Sequence, residues 1–270
     1  MKRRELLTSS LAATAMALGP KSLIGAQETE KPSGSGKREY YLIRRYQMNW
    51  GPQVRAAHAF FRQALVPAAN RLDIKPVGVF NVSIGPYTPR IYLLLPCASL
   101  ETLANLEEKL GQDPEYLKAG AAFLKAPAAK PAYFRIKTTL LRAFTGWPHL
   151  VLPSSTAENE ARLFELRTYQ QPTHQDHVRK LEMMNTGYFP IFKEAGFSQV
   201  FYADTLVGAT MPDLTYMLSF KDLEERDKYW KAYFASEAWK KLSTNPRYTF
   251  EGIVSKVSNE ILAPADYSQI

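Results

Sequence analysis

The sequence has a single cysteine, Cys97, among 270 residues. That excludes an internal disulfide framework and any cysteine-based zinc site. Cys97 follows Pro96 at the end of an apolar stretch, which is not the setting of a catalytic thiol. Beyond the N-terminus there is no apolar run long enough to cross a bilayer as a helix. The Gly-x-Ser-x-Gly turn, the Walker loop, the Gly-x-Gly-x-x-Gly fingerprint and a paired-carboxylate motif are all missing. Histidine is scarce, at four residues, and the basic excess is modest, 34 Lys and Arg against 26 Asp and Glu. What is present is ordinary for a folded protein: 46% hydrophobic and 22% charged residues exclude global disorder.

Residues 1–26 read as an export signal. Lys2, Arg3 and Arg4 form a basic start, Leu6 to Leu18 a short apolar stretch, and Gly25-Ala26 a small-residue cleavage site. Arg3-Arg4 followed by Leu6-Leu7 is similar to a twin-arginine signal. This places the mature chain outside the cytoplasm, in the periplasm or beyond. Residues 1–26 hold Lys2, Arg3, Arg4 and Lys21 against Glu5, a net +3, so the formal charge of +8 falls to +5 on the remainder. The basic residues are interspersed with acids and form no stripe, which argues against a nucleic-acid partner. Residues 27–38 read as a flexible linker rich in Ser, Gly and charge.

The rest of the chain is written twice. Tyr40-Tyr41-Leu42-Ile43-Arg44-Arg45-Tyr46-Gln47 aligns with Leu163-Phe164-Glu165-Leu166-Arg167-Thr168-Tyr169-Gln170 at an offset of 123, and the same offset pairs Val66-Pro67 with Phe189-Pro190 and Tyr116 with Trp239. Each copy predicts a strand (40–47, 163–169), a helix (54–72, 174–195), two strands (76–84 and 90–96; 197–207 and 214–220), a helix (99–110, 222–235) and a last strand (133–144, 249–262). Asp222 is the expected N-cap of the second of those later helices. The order β-α-β-β-α-β is the ferredoxin-like unit. Residues 39–144 and 163–270 are thus two such units, joined by a Pro-containing linker at 145–162. A ferredoxin-like sheet has one face bare of helices, so the α+β fold expected is two sheets packed face to face as a pseudo-dimeric barrel. A small-molecule pocket is expected between the sheets.

The second copy resembles the NIPSNAP family. The similarity lies in Phe164-Glu165-Leu166-Arg167-Thr168-Tyr169, in Phe189-Pro190-Ile191-Phe192-Lys193-Glu194-Ala195-Gly196-Phe197, in Leu218-Ser219-Phe220-Lys221-Asp222-Leu223-Glu224-Glu225-Arg226, and in Trp230, Phe234 and Ala238-Trp239. The first copy keeps Arg44, Tyr46 and Pro67, with Tyr116 in place of Trp239. The resemblance implies the dimeric α/β-barrel fold, whose relatives include cofactor-independent monooxygenases and haem-binding enzymes. It carries over no catalytic motif.

Candidate site residues follow from position. His58 lies in the stripe Val54, His58, Phe61, Leu65, Ala68 and Leu72, and His177 opens the stripe Leu181, Met184, Tyr188, Ile191 and Ala195. Either histidine could ligate haem or act as a base, and either could instead be a hydrogen-bonded core residue. His174 and His177 share a helix side but lack a third ligand, so no metal site is assigned. Arg44 and Arg167, with Tyr46 and Tyr169 two residues on, occupy equivalent strand positions that could clamp a carboxylate. Strand alternation sets Arg167 and Glu165 opposite Phe164 and Leu166. Tyr202, Tyr216 and Trp230 could line a planar ligand or pack as core. The expectation is a barrel that binds a small apolar or planar ligand. A small monooxygenase, cofactor-independent or haem-dependent, and an interaction module with a filled barrel are the alternatives, and a homo-oligomer is compatible with each.

Overall fold

In a computed structural model, residues 37–270 apart from residue 159 are described; the expected signal at 1–26 and most of the linker at 27–38 lie outside them. Eight strands form the core: β1 (Tyr40–Gln47), β2 (Gly78–Ile84), β3 (Arg90–Cys97), β4 (Arg135–Ala143), β5 (Leu163–Gln170), β6 (Ser198–Val207), β7 (Asp213–Phe220) and β8 (Lys256–Pro264). They close into one antiparallel barrel in the order β1-β3-β2-β8-β5-β7-β6-β4. Within each half the first strand is central, and the halves meet through β2 with β8 and β4 with β6. The last strand of each half therefore pairs with the second strand of the other. Closure gives each strand two neighbours, which removes the open sheet edges that would otherwise invite pairing with another chain.

Every residue of β3 and β7 is buried, because both faces of these strands are covered. The inner faces meet in a packed cluster that includes Tyr41, Ile43, Phe80, Leu141, Phe164, Phe201 and Met217. Phe80 meets Phe164 edge-on at 5.0 Å, across the junction of the two halves. The space between the sheets is thus filled with side chains. A cavity of 130 Å³ remains toward one end, lined by Arg45, Tyr92, Gln170, Asp213, Glu260 and several threonines. This corrects the expected pocket between the sheets: bulky aromatic and branched side chains from both inner faces occupy that volume.

The helices lie on the outer faces, each half with its own apolar cluster. The first helix of each half runs through a π-helical turn, Phe61–Leu65 between Pro52–Phe60 and Val66–Arg71, and Met184–Tyr188 between His174–Met183 and Phe189–Glu194. Pro67 and Pro190 stand just past these turns; each lacks an N–H and crowds the carbonyl four residues back, which breaks the regular ladder. The extra residue per turn rotates the buried face. In the first half that face runs through Ala57, Phe60, Phe61, Ala64 and Leu65, and His58 is only half-buried.

Asp222 caps Leu223–Ala235 by accepting the Glu225 N–H at 2.8 Å, as expected. Four short helices were not anticipated: Pro114–Ala119, Ala121–Leu124, Ser154–Ala157 and Glu237–Ser243. The strand read at 249–262 begins later, at Lys256, because Thr249 accepts bonds from Gly252 and Ile253 and starts a helical turn, Phe250–Ile253.

Candidate functional site

A cleft with an aromatic lining lies outside the barrel, between the second half's sheet and its helices. Its volume is 760 Å³, and residues of four kinds of element line it. β5 supplies Arg167 and Tyr169. β8 supplies Val257 and Asn259, which lie opposite Tyr169 and Arg167 in the ladder. The π-helical turn supplies Tyr188, and the later helices supply Trp230, Tyr233, Phe234 and Trp239, with Ser243, Thr244 and Thr249 at the rim.

Local geometry explains how these meet. Arg167, Tyr169 and Glu165 alternate onto the helix-covered face of β5, while Phe164 and Leu166 join the barrel interior. Tyr216 stands opposite Arg167 on β7. A Cβ at Gly187 would come within 2.6 Å of the Leu242 side chain, so glycine there lets Glu237–Ser243 pack against the π-helical turn. Trp239 then meets Tyr188 edge-on at 5.6 Å and Tyr233 at 4.7 Å.

The floor carries charge. Glu165 is fully buried and accepts four bonds: Arg167 Nη1 at 2.7 Å, Arg226 Nε at 3.0 Å and Nη2 at 2.7 Å, and Trp230 Nε1 at 2.8 Å. Burial pushes the Glu165 carboxyl up, but the Arg226 bonds, the Arg167 charge and the Trp230 bond outweigh it and hold it below the usual carboxylate range. The Arg167 guanidinium lies 4.3 Å from the Trp230 ring and donates to the Tyr169 hydroxyl at 3.3 Å. Its Nε has no hydrogen-bond partner. Burial disfavours its charge, yet Tyr216, Tyr169 and Glu165 raise its pKa well above the ordinary value. Behind Tyr169 and Tyr188 lies Lys180, fully buried, its Nζ 2.7 Å from the Tyr188 hydroxyl and 5.0 Å from the Tyr169 ring centre. Burial, and then the Arg167 charge, push the Lys180 amine well below the ordinary lysine value. In the sequence Lys180 reads as half of a surface basic pair, Arg179-Lys180; its spacing of three and four residues from Met183 and Met184 was the available sign of burial.

The first half holds the equivalent cleft, at 320 Å³, with Arg44, Tyr46, Tyr116 and Tyr133 among its lining. Its chemistry differs. Arg44 pairs with Glu107 at 2.5 Å, and Glu107 stands at the position of Trp230. At the same offset Ala57 replaces Lys180, Leu65 replaces Tyr188, Leu93 replaces Tyr216 and Leu110 replaces Tyr233. The registers Arg44 with Leu93 and Arg167 with Tyr216 support these equivalences.

Of the residues singled out in the sequence, Arg167, Tyr169 and Trp230 come together at the larger cleft, and Arg44 and Tyr46 at the smaller. Tyr202 and Tyr216 are fully buried on the same face, stacked at 5.3 Å, and Tyr216 exchanges a hydrogen bond with Tyr169 at 2.9 Å. The four tyrosines lie on the helix-covered faces of their strands, and Trp230 packs onto that face from a helix, so none of these five points between the sheets. The histidines lie elsewhere. His58 places Nδ1 2.7 Å from the Tyr267 hydroxyl and Nε2 2.9 Å from Asn81 Oδ1. His177 places Nδ1 2.7 Å from Gln171 Oε1 and Nε2 2.7 Å from Asp204 Oδ1. With both ring nitrogens of each engaged by the protein, neither fits as an axial haem ligand or as a base open to a ligand. His174 is exposed at a helix start. Among the described residues no group of three His, Cys, Asp or Glu could hold a metal ion, and no helix is long and apolar enough to cross a membrane.

Comparison with solved structures finds the same architecture at low identity. A candidate monooxygenase from Lactobacillus acidophilus superposes with a TM-score of 0.56 at 6% identity, covering 84% of this chain and 94% of that one. An anthrone oxidase-like protein gives 0.51 at 11%, covering 86% and 93%. A NIPSNAP family protein of unknown function from Agrobacterium tumefaciens gives 0.36 at 19%, covering 40% of this chain and 93% of that one. No curated protein matches the chain. The NIPSNAP family model matches residues 41–128 and again 164–269, most of the chain, and the protein therefore belongs to the NIPSNAP family.

Proposed function

We propose that this chain binds a planar aromatic molecule bearing a carboxylate or an acidic hydroxyl, in the cleft between β5 and the helices of the second half. The observation that carries this reading is the lining: Trp230, Tyr233, Trp239, Tyr169 and Tyr188 surround a volume of 760 Å³ into which one strand sets the Arg167 guanidinium. That volume suits a ligand of two or three fused rings. Aromatic walls favour flat π-systems, and the guanidinium favours an anionic oxygen. The fold neighbour named anthrone oxidase-like is in keeping with a ligand of this class. Duplication of one ancestral unit, with the ligand chemistry concentrated in the second copy, accounts for the paired clefts of unequal size.

Fluorescence polarisation with 9-anthracenecarboxylate tests the reading. Saturable binding is expected, at least tenfold weaker for Trp239→Ala and for the uncharged analogue 9-anthracenemethanol. Absence of saturable binding, or equal affinity in the Trp239→Ala variant, would refute it.

We also propose that the chain is exported, on the pattern of Arg3-Arg4, Leu6 to Leu18 and Ala26. Exchange of Arg3 and Arg4 for lysine is expected to leave precursor inside the cell. Undiminished export of that double variant would count against a twin-arginine route.

A further inference from the structure

We propose that Tyr188 and Lys180 form a proton-accepting pair at the floor of this cleft, with which the protein ionises an enolisable aryl ketone, a C–H acid whose anion is an oxyanion. The inference rests on the binding site proposed above. It adds an activity to it.

Three observations carry the inference. First, the Lys180 amine and the Tyr188 hydroxyl are 2.7 Å apart, and Tyr188 lines the cleft while Lys180 is wholly buried behind it. The Tyr188 hydroxyl therefore gives a proton leaving a ligand a route to the lysine. Second, a π-helical turn, the interruption that Pro190 follows, holds Tyr188 in this place. Its counterpart in the first half ends on Leu65, with Ala57 at the lysine position, so the shared fold needs neither polar group. The pair is an addition specific to the half with the larger cleft. Third, the anion that proton loss would create forms beside a guanidinium, since Arg167, paired with Glu165, lines the same cleft. Burial, and then the Arg167 charge, push the Lys180 amine well below its ordinary value, which favours the neutral, proton-accepting form.

The step balances without an oxidant or reductant. The α C–H bond of the ketone breaks, and its electron pair becomes the enolate, whose oxygen lies toward Arg167. The proton forms a new O–H bond on Tyr188 Oη as the hydroxyl's own proton passes to the lone pair of Lys180 Nζ. The pair ends as tyrosine and an ammonium, and the reverse transfer returns a proton to carbon. In this scheme Tyr188 is the catalytic residue and Lys180 the acceptor that acts through it.

The experiment follows deuterium entry from D2O into C1 of 2-tetralone by NMR, with binding of 9-anthracenecarboxylate measured on the same preparations. The expected result is exchange at least tenfold faster than in buffer. In Lys180→Met and Tyr188→Phe the turnover number is expected to fall at least tenfold, with KM for the ketone and affinity for the anthracene acid within threefold of wild type. A defect of packing alone would raise KM and weaken the acid together, which is why both are read. Accelerated exchange that survives either substitution overturns the pair. So does a lack of exchange in a protein that binds the acid, an outcome that leaves the binding site standing. A protein that binds neither molecule overturns both proposals.

Discussion

Exchanging Glu165 for glutamine is expected to destabilise the folded chain by about 3–5 kcal/mol, the usual cost of breaking a buried ion pair by removing one partner. Glu165 is fully buried and is the shared acceptor for Arg167, Arg226 and the Trp230 indole. Glutamine keeps the volume but removes the negative charge and replaces one acceptor oxygen with a donor amide. Arg167 then remains, nearly as buried, without its carboxylate, while Arg226 retains Asp227 at the surface. The change should appear as a lower urea midpoint with an unchanged slope, since the same surface is exposed on unfolding. The sign with pH is equally specific. The fold depresses the Glu165 pKa, so its contribution is present above the unfolded value near 4.5 and is lost as pH falls through the lower folded value. Wild type should lose stability steadily below about pH 4.5, and Glu165→Gln should lose less over the same interval. A midpoint within about 1 kcal/mol of wild type at pH 7 would mean that the three donors find other partners.

The architecture was readable because it depends on periodicities that side chains cannot hide. Alternation in residues 40–47 and 163–169 and the cap at Asp222 each correspond to an element in the structure. The π-helical turns were harder to read. Pro67 and Pro190 mark them, but a proline in a helix pattern can equally kink or end it. Alternation also separated Arg167 from Phe164 correctly, without saying which face would hold a cavity. That depended on volumes: the inner faces carry Phe80, Phe164, Phe201 and Tyr41, which fill the barrel, whereas the cleft lies on the other side, beneath the later helices of the second half. Lys180 escaped notice for a related reason. Its residue type argues for solvent, and only the tertiary arrangement of Tyr169, Tyr188 and Met183 around it reveals a buried amine.

Lys180→Met is expected to act in the opposite direction, stabilising the fold at pH 7 by about 1–4 kcal/mol, because an apolar side chain of similar size carries no cost for giving up a solvated ammonium on burial. The argument is one of linkage. Lys180 has a depressed pKa in the folded state, so the unfolded chain binds the proton more tightly. Each unit of depression costs the native state about 1.4 kcal/mol at low pH. The penalty is complete below the folded pKa, shrinks as pH rises from there, and vanishes above the unfolded value near 10.5. Relative to Lys180→Met, wild type should therefore gain stability between neutrality and about pH 10. The neighbouring tyrosines act the other way: burial raises the pKa of Tyr188, Tyr216 and Tyr233 in the fold, so ionisation of the unfolded phenols costs stability as pH approaches 10, in both proteins alike, and the difference between them isolates the lysine. The methionine leaves the Tyr188 hydroxyl without its amine, a loss of about 1 kcal/mol that persists at every pH and trims the benefit. Denaturation midpoints at pH 7 and pH 10 decide the matter: parallel profiles for the two proteins would show that Lys180 is charged in the fold. Where the profiles diverge as expected, the first half supplies the interpretation, since alanine at residue 57 shows that the same fold forms without a buried amine. That outcome is what the proposed proton transfer requires, since the amine that costs stability stands in only one of two equivalent clefts and touches a cavity-lining tyrosine.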